Sequence, residues 1–110
     1  MPLIYKVLGQ SNPASTTNTT LYTCPATASA VVSSLTIANL STAAATTYRV
    51  AVRPAGATIA NQHYVAFDAP LPAADTTILT LGVTLGGSDV VTVYAGNTAV
   101  AFSLFGTEVS

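Results

Sequence analysis

Both arginines of the chain and its only histidine fall within one stretch, TTYRVAVRPAGATIANQHYVAFD, residues 46–68. The chain carries only three basic and four acidic side chains, so any chemistry is sought here first. His63 together with Cys24 would make a base and nucleophile of the kind thiol enzymes use. Cys24, however, stands before Pro25, with no glycine-rich elbow or helix start to lower its pKa. The cysteine therefore reads as a buried bystander. The many serines allow a Ser–His–Asp set on paper, but no G-x-S-x-G pattern supports one. Asp68 and Asp75 flank a proline-rich loop without the regular oxygen-ligand spacing of a calcium site. They read as strand terminators whose carboxylates bond nearby backbone. A single cysteine excludes an internal disulfide and a thiolate zinc site. Gly82, Gly86 and Gly87 fit neither a P-loop nor a dinucleotide fingerprint. The triplets Asn18-Thr19-Thr20 and Asn39-Leu40-Ser41 match the glycosylation pattern, as chance allows in a chain this rich in serine and threonine. No catalytic centre, cofactor or metal ion is expected. Arg49 and Arg53 remain. Four residues apart on one strand face they lie ~13 Å apart, too far to share one carboxylate. They are either a solvated outer face or anchors for a protein partner, since arginine is enriched at interfaces.

The elements that hold these residues read as strands. Turn signals recur at Asn12-Pro13, Pro25-Ala26, Ser41 to Ala45, Pro54-Ala55-Gly56, Pro70 to Asp75, Gly86-Gly87 and Gly96-Asn97. Between them lie runs rich in Val, Ile, Thr, Tyr and Phe, the pattern of a β-sandwich or barrel. About eight strands are expected, over 3–9, 18–24, 30–39, 46–53, 61–68, 76–85, 89–95 and 98–105. The fold class is all-β, an antiparallel sandwich of jelly-roll or immunoglobulin-like type, in a single domain covering 1–110. No helical stripe is present, and Pro70-Leu71-Pro72 opposes a helix there. Gly96-Asn97 suits a two-residue hairpin turn, which would set Val93 opposite Val100 and Val91 opposite Phe102. In residues 46–68, a pairing sum of 113 would place Arg49 opposite Tyr64 for cation–π stacking, with His63 inside beside Val50. The expected core is Leu35, Ile37, Val50, Val52, Val65, Phe67, Leu79, Leu81, Val91, Val93, Val100 and Phe102.

Composition narrows the function classes. Alanine, threonine and serine make up 46 of 110 residues, and the net charge is −1. Mean hydropathy is positive, so the chain is not of the polar, highly charged type that stays disordered. Three cations cannot supply the phosphate contacts of nucleic-acid binding. No apolar run approaches the ~20 residues of a spanning helix, and no membrane partner is expected. The opening residues MPLIYKVLGQ lack the basic-then-apolar layout of a secretory signal, so synthesis and folding in a reducing cytoplasm are expected. A surface of Thr, Ser and Ala offers little like-charge repulsion, which suits a subunit packed against neighbours.

The segments TTLYTCPATASAVVSSLTIANLS and TTYRVAVRPAGATIANQHYVAFD resemble small all-β virion structural proteins of tailed bacteriophages, notably cyanophages. The similarity extends over roughly residues 3–105. Similar proteins carry an apolar residue in the TLYT-x-PA element where this chain has Cys24, which implies a core position. The resemblance implies a non-enzymatic particle component, made in the host cytoplasm and located in the virion. The foremost reading is a decoration or cement protein on the outer capsid surface. Its partners would be the major capsid protein and other copies of itself, as a dimer or trimer. A tail, neck or fibre location is the competitor within that class. A carbohydrate-binding or adhesive module would also be a β-sandwich, and it would display exposed aromatics. The chain has no Trp, five Tyr and three Phe, of which Phe67 and Phe102 belong to the expected core. Candidate interface residues are Arg49, Arg53 and Tyr64, with Leu3, Ile4, Tyr5, Leu104 and Phe105 from the terminal segments.

Overall fold

The computed structural model describes residues 3–80 and 82–110. Its nine strands are β1 (Leu3–Ser11), β2 (Thr19–Thr23), β3 (Ser29–Asn39), β4 (Thr46–Arg53), β5 (Tyr64–Leu71), β6 (Thr76–Leu79), β7 (Val83–Leu85), β8 (Val90–Ala95) and β9 (Val100–Val109). One sheet has five strands, in the order β1-β9-β3-β6 with β7 also on β3; the other has four, in the order β2-β8-β4-β5. All the pairings are antiparallel. The run expected as one strand over 76–85 is two, β6 and β7, which pair with successive parts of β3. If they count as one interrupted strand, the order is that of a jelly roll. The chain changes sheet at each connection except β4 to β5 and β6 to β7.

That topology corrects the expected final hairpin. β8 and β9 lie in different sheets, and the turn at Gly96 carries the chain across the sandwich. The Gly96 N–H donates to the Thr47 carbonyl at 2.9 Å. An added Cβ there would come within 2.5 Å of the Thr46 hydroxyl, which would have to turn away. The alternation that suggested the hairpin is real. Val91, Val93, Val100 and Phe102 are all buried, but they face one another across the core and not along a shared ladder.

The core between the sheets contains Leu35, Ile37, Val50, Val91, Val93, Val100 and Phe102 as expected, with Val52 and Leu79 packed partly against it. Leu8, Leu21, Tyr22, Cys24, Ala30, Val32, Tyr48, Leu71, Leu85, Ala95 and Leu104 complete it. Leu81 lies outside the described residues. Val65 and Phe67 are corrections, since both are half exposed. The pairing of β4 with β5 follows no single sum of 113. Tyr48 faces Ala69, Val50 faces Ala66 and Ala51 faces Tyr64, with a register shift at each step. Each shift is a β-bulge that puts extra β5 residues opposite β4. Phe67 and Asp68 bulge out across from Arg49, and Val65 bulges out between Val50 and Ala51. Ala66, Ala69 and Leu71 take the inward places instead.

Candidate functional site

On the outer face of the four-stranded sheet, the first bulge builds a compact cluster. Arg49 is opposite Tyr94 on β8, and the bulge brings Phe67 and Asp68 to its other side. The guanidinium carbon lies 4.1 Å from the Phe67 ring centroid and 4.2 Å from that of Tyr94. Arg49 is thus held between two rings. Its Nε–H donates to Asp68 Oδ1 at 2.6 Å and Nη2 donates to Oδ2 at 3.2 Å. This paired fork holds the Asp68 carboxyl below its ordinary range and the guanidinium above its own. Asp68 adopts φ 50°, an unusual conformation for a residue with a Cβ. Tyr64 meets the Phe67 ring edge-on, with centroids 4.9 Å apart and planes at 83°. An open hollow of about 340 Å³ is lined by Asn61, Tyr64 and Phe67.

The expected Arg49–Tyr64 stack is therefore replaced by Phe67 and Tyr94. Tyr64 reaches the same cluster through Phe67. Arg49 commits two of its five N–H donors to Asp68. Arg53 donates from Nη2 to the Gly56 carbonyl at 3.2 Å, while its buried Nε meets no acceptor among the described residues. His63 does not reach the inner face beside Val50. It closes a short 3-10 turn, Asn61–His63, and its Nδ1 accepts the Ala60 N–H at 3.0 Å.

Cys24 and His63 do not converge. Cys24 follows β2 and His63 precedes β5, at opposite edges of the sheet. Three strand spacings separate those edges, about 14 Å. Burial pushes the Cys24 thiol above its ordinary pKa, which opposes thiolate chemistry. Asp68 is taken by Arg49, and Asp75 Oδ1 accepts the Thr76 N–H at 2.9 Å. Among the described residues no group of three or more His, Cys, Asp or Glu side chains is placed to hold a metal ion. Asn39, read as part of a chance triplet, is buried. Its amide donates to the carbonyls of Ala44 at 2.9 Å and Pro72 at 3.2 Å, tying the end of β3 to two loops.

The outer face of the five-stranded sheet has the opposite character. Side chains sharing a rung share a face. The rungs Leu3–Val109–Ser29, Tyr5–Thr107–Val31–Thr84 and Val7–Phe105–Ser34 all point outward, as does Thr36–Ile78. Leu3, Tyr5, Val7, Val31 and Ile78 are exposed, Tyr5 to 79%. None of the chain's seven charged side chains stands on this face. Leu104 is a correction among the candidate interface residues: it is 0% exposed. Its rung holds Gly9 and Leu35, so its side chain fills the core. Ile4 shares the inward side with Glu108 but remains exposed at the end of the sandwich.

Sequence reasoning missed the polar group inside that end. The Tyr22 hydroxyl donates to Glu108 Oε2 at 2.5 Å, and Lys6 Nζ lies 3.0 Å from Oε1. The hydrogen bond from Tyr22, followed by that from Lys6, holds the Glu108 carboxyl below its ordinary range. Burial pushes the Tyr22 phenol up. The signal was available, because Glu108 shares its parity with Phe102 and Leu104 along β9. No family model matches the chain, and neither the curated proteins nor the solved structures contain a match.

Proposed function

We propose that the chain is a non-enzymatic structural component of a phage virion that docks on the outer capsid surface through the outer face of its five-stranded sheet. The observation that carries this reading is the uncharged apolar face of Leu3, Tyr5, Val7, Val31, Ile78 and Phe105. At ~4.8 Å between strands and ~3.3 Å per residue, four strands by about nine residues give a face of about 600 Å² in projection. Ser29, Ser34, Thr36, Thr84 and Thr107 stand on the same rungs, so its apolar part is smaller, while the whole face approaches one partner's share, about 800 Å², of a standard interface. The jelly roll is used by viral capsid and lectin domains alike, and as an analogy it favours no activity by itself. The sequence resemblance supplies the partner, the major capsid protein together with neighbouring copies of this chain. Function then resides in distributed contact area, which agrees with the separation of Cys24 from His63. Binding is late, to a preformed shell, and adds stability to it.

The test uses particles prepared without the protein and challenged with heat or low salt. Reduced resistance, restored by the purified subunit but not by a folded Tyr5→Glu, Val31→Glu variant, supports the reading. Intact capsids with failed tail attachment or host adsorption would move the protein to the tail, neck or fibre. A subunit that binds no particle would sink both versions.

A further inference from the structure

We propose that the hollow beside Phe67, on the opposite outer face, is a binding site for a neutral pyranose sugar. An adhesive sandwich needs exposed aromatics, and bulging places one here. Phe67 is 56% exposed, yet it is held firmly. One side of its ring is stacked against the Arg49 guanidinium at 4.1 Å, and the Tyr64 ring stands nearly perpendicular to it with centroids 4.9 Å apart. Arg49 is itself fixed by Tyr94 and by both oxygens of Asp68. The chain thus commits an arginine, a left-handed aspartate and a bulge to holding a phenylalanine half in solvent. A side chain left in solvent without a role would not need such support, whereas a binding platform gains from being fixed before the ligand arrives.

The chemistry of the hollow selects the ligand class. Two aromatic rings at 83° make a corner, and Asn61 lines the same hollow of about 340 Å³, within the size range of small-ligand pockets. The Tyr64 ring and the side of Phe67 away from Arg49 offer apolar surface, while the Asn61 amide both donates and accepts hydrogen bonds. A pyranose has the matching surfaces, a C–H face for a ring and hydroxyls for an amide. The nearby charges, Arg49 and Asp68, neutralise each other, so the site offers no net attraction to an ionic ligand. This site stands apart from the capsid reading and survives its failure. The two outer faces of a sandwich point in opposite directions, so a subunit docked by the five-stranded sheet would present the hollow outward.

The experiment follows backbone amide NMR shifts of the free, isotopically labelled protein. The probes are the methyl pyranosides of glucose, galactose, mannose and N-acetylglucosamine, with a proline-rich peptide in parallel. At least one pyranoside should give saturable shifts confined to residues 61–68 and Tyr94, with Kd of about 1 mM. Phe67→Ala should abolish them, and Asn61→Ala should weaken binding about 10-fold. Ile78→Ala, on the other face, should bind as the parent does. Spectra of the variants away from the hollow should match the parent, which separates lost binding from lost fold. Absence of saturable shifts from all four pyranosides, or shifts undiminished in Phe67→Ala, would overturn the proposal. Saturation by the peptide and by no sugar would overturn it in favour of a peptide groove.

Discussion

The Tyr22–Glu108–Lys6 group makes the most searching test of the packing. Glu108 is inside the sandwich end because β9 alternates without a break. Val100, Phe102, Leu104 and Glu108 occupy one parity, and Ala101, Ser103, Phe105, Thr107 and Val109 the other. A carboxylate on the inward side needs partners. Tyr22 supplies a hydrogen bond across the two sheets and Lys6 supplies a charge from the adjacent strand. Tyr22→Phe removes a charge-assisted bond at a buried position and costs ~1.5–3 kcal/mol. Lys6→Met should cost less, about 0–1 kcal/mol, because the Lys6 side chain is 43% exposed and exposed ion pairs contribute little. In urea, with a slope of ~1–3 kcal/mol/M, a loss of about 2 kcal/mol moves the unfolding midpoint by roughly 1 M.

The pH dependence follows from the direction of the shift. The Glu108 carboxyl is depressed in the folded chain and titrates near ~4.3 when unfolded. Its stabilisation is complete above the unfolded value and disappears as pH falls through the folded one. The stability gap between parent and Glu108→Gln should therefore be widest near neutrality and should narrow in acid. It should be smaller at all pH values in a Tyr22→Phe background, because the larger cause of the depression is gone. An unchanged midpoint in Tyr22→Phe, or a parent-to-Gln gap constant from neutral to strongly acid pH, would refute the reasoning.

Three other outcomes are expected. Phe102→Ala empties a position 1% exposed and should cost ~3–5 kcal/mol in chemical denaturation. Gly106→Ala would set a Cβ 2.2 Å from the Val31 carbonyl oxygen; the backbone of β9 or β3 must shift, at a cost of ~1–3 kcal/mol or more, read as a lowered melting temperature. Cys24, buried with its thiol pKa raised, should resist thiol reagents in the native protein at neutral pH and react fully once the chain is unfolded.

The fold was legible wherever alternation ran unbroken. β9 alternates cleanly, and β3 does so from Leu35 onward, after a bulge between Val32 and Ser34 that changes its inward parity. The buried places of Leu35, Ile37, Val50, Val93 and Phe102 were legible, although β8 buries Val90 to Val93 in succession. Two things defeated the reading. Alternation shows which side chains point inward but not whether facing strands share a ladder or sit across the core. Val93 and Val100 therefore fit a hairpin as well as they fit a sheet crossing. A jelly roll separates most neighbouring strands in this way, and the tight Gly96 turn serves the crossing. The second obstacle was bulging in β5. The segment YVAFDAPL has regular alternation on paper, and two extra residues reverse which of its side chains are inside. Small Ala66 and Ala69 take the core places, while larger Val65 and Phe67 go to solvent, the reverse of what hydrophobicity alone suggests.

The same bulges explain why the charged residues cluster as they do. An arginine on an outer sheet face ordinarily reaches solvent and contributes little. With a regular ladder, Arg49 would face a single residue of β5. The bulge gives it two, an aromatic face and a carboxylate, and Tyr94 closes the other side. On the opposite sheet the charges are handled differently, for Lys6 and Glu108 turn inward and pair with each other and with Tyr22. Between them these two arrangements take up four of the seven charged side chains and leave one whole sheet face without any. Such a face has no charge to repel a second protein surface and none to specify it. In the proposed capsid docking, selectivity comes from the shape of Tyr5, Val7, Val31 and Phe105 and from the hydroxyls of Thr84 and Thr107 between them, so a single charge placed among them should weaken binding to purified particles far more than removal of Arg49 or Arg53.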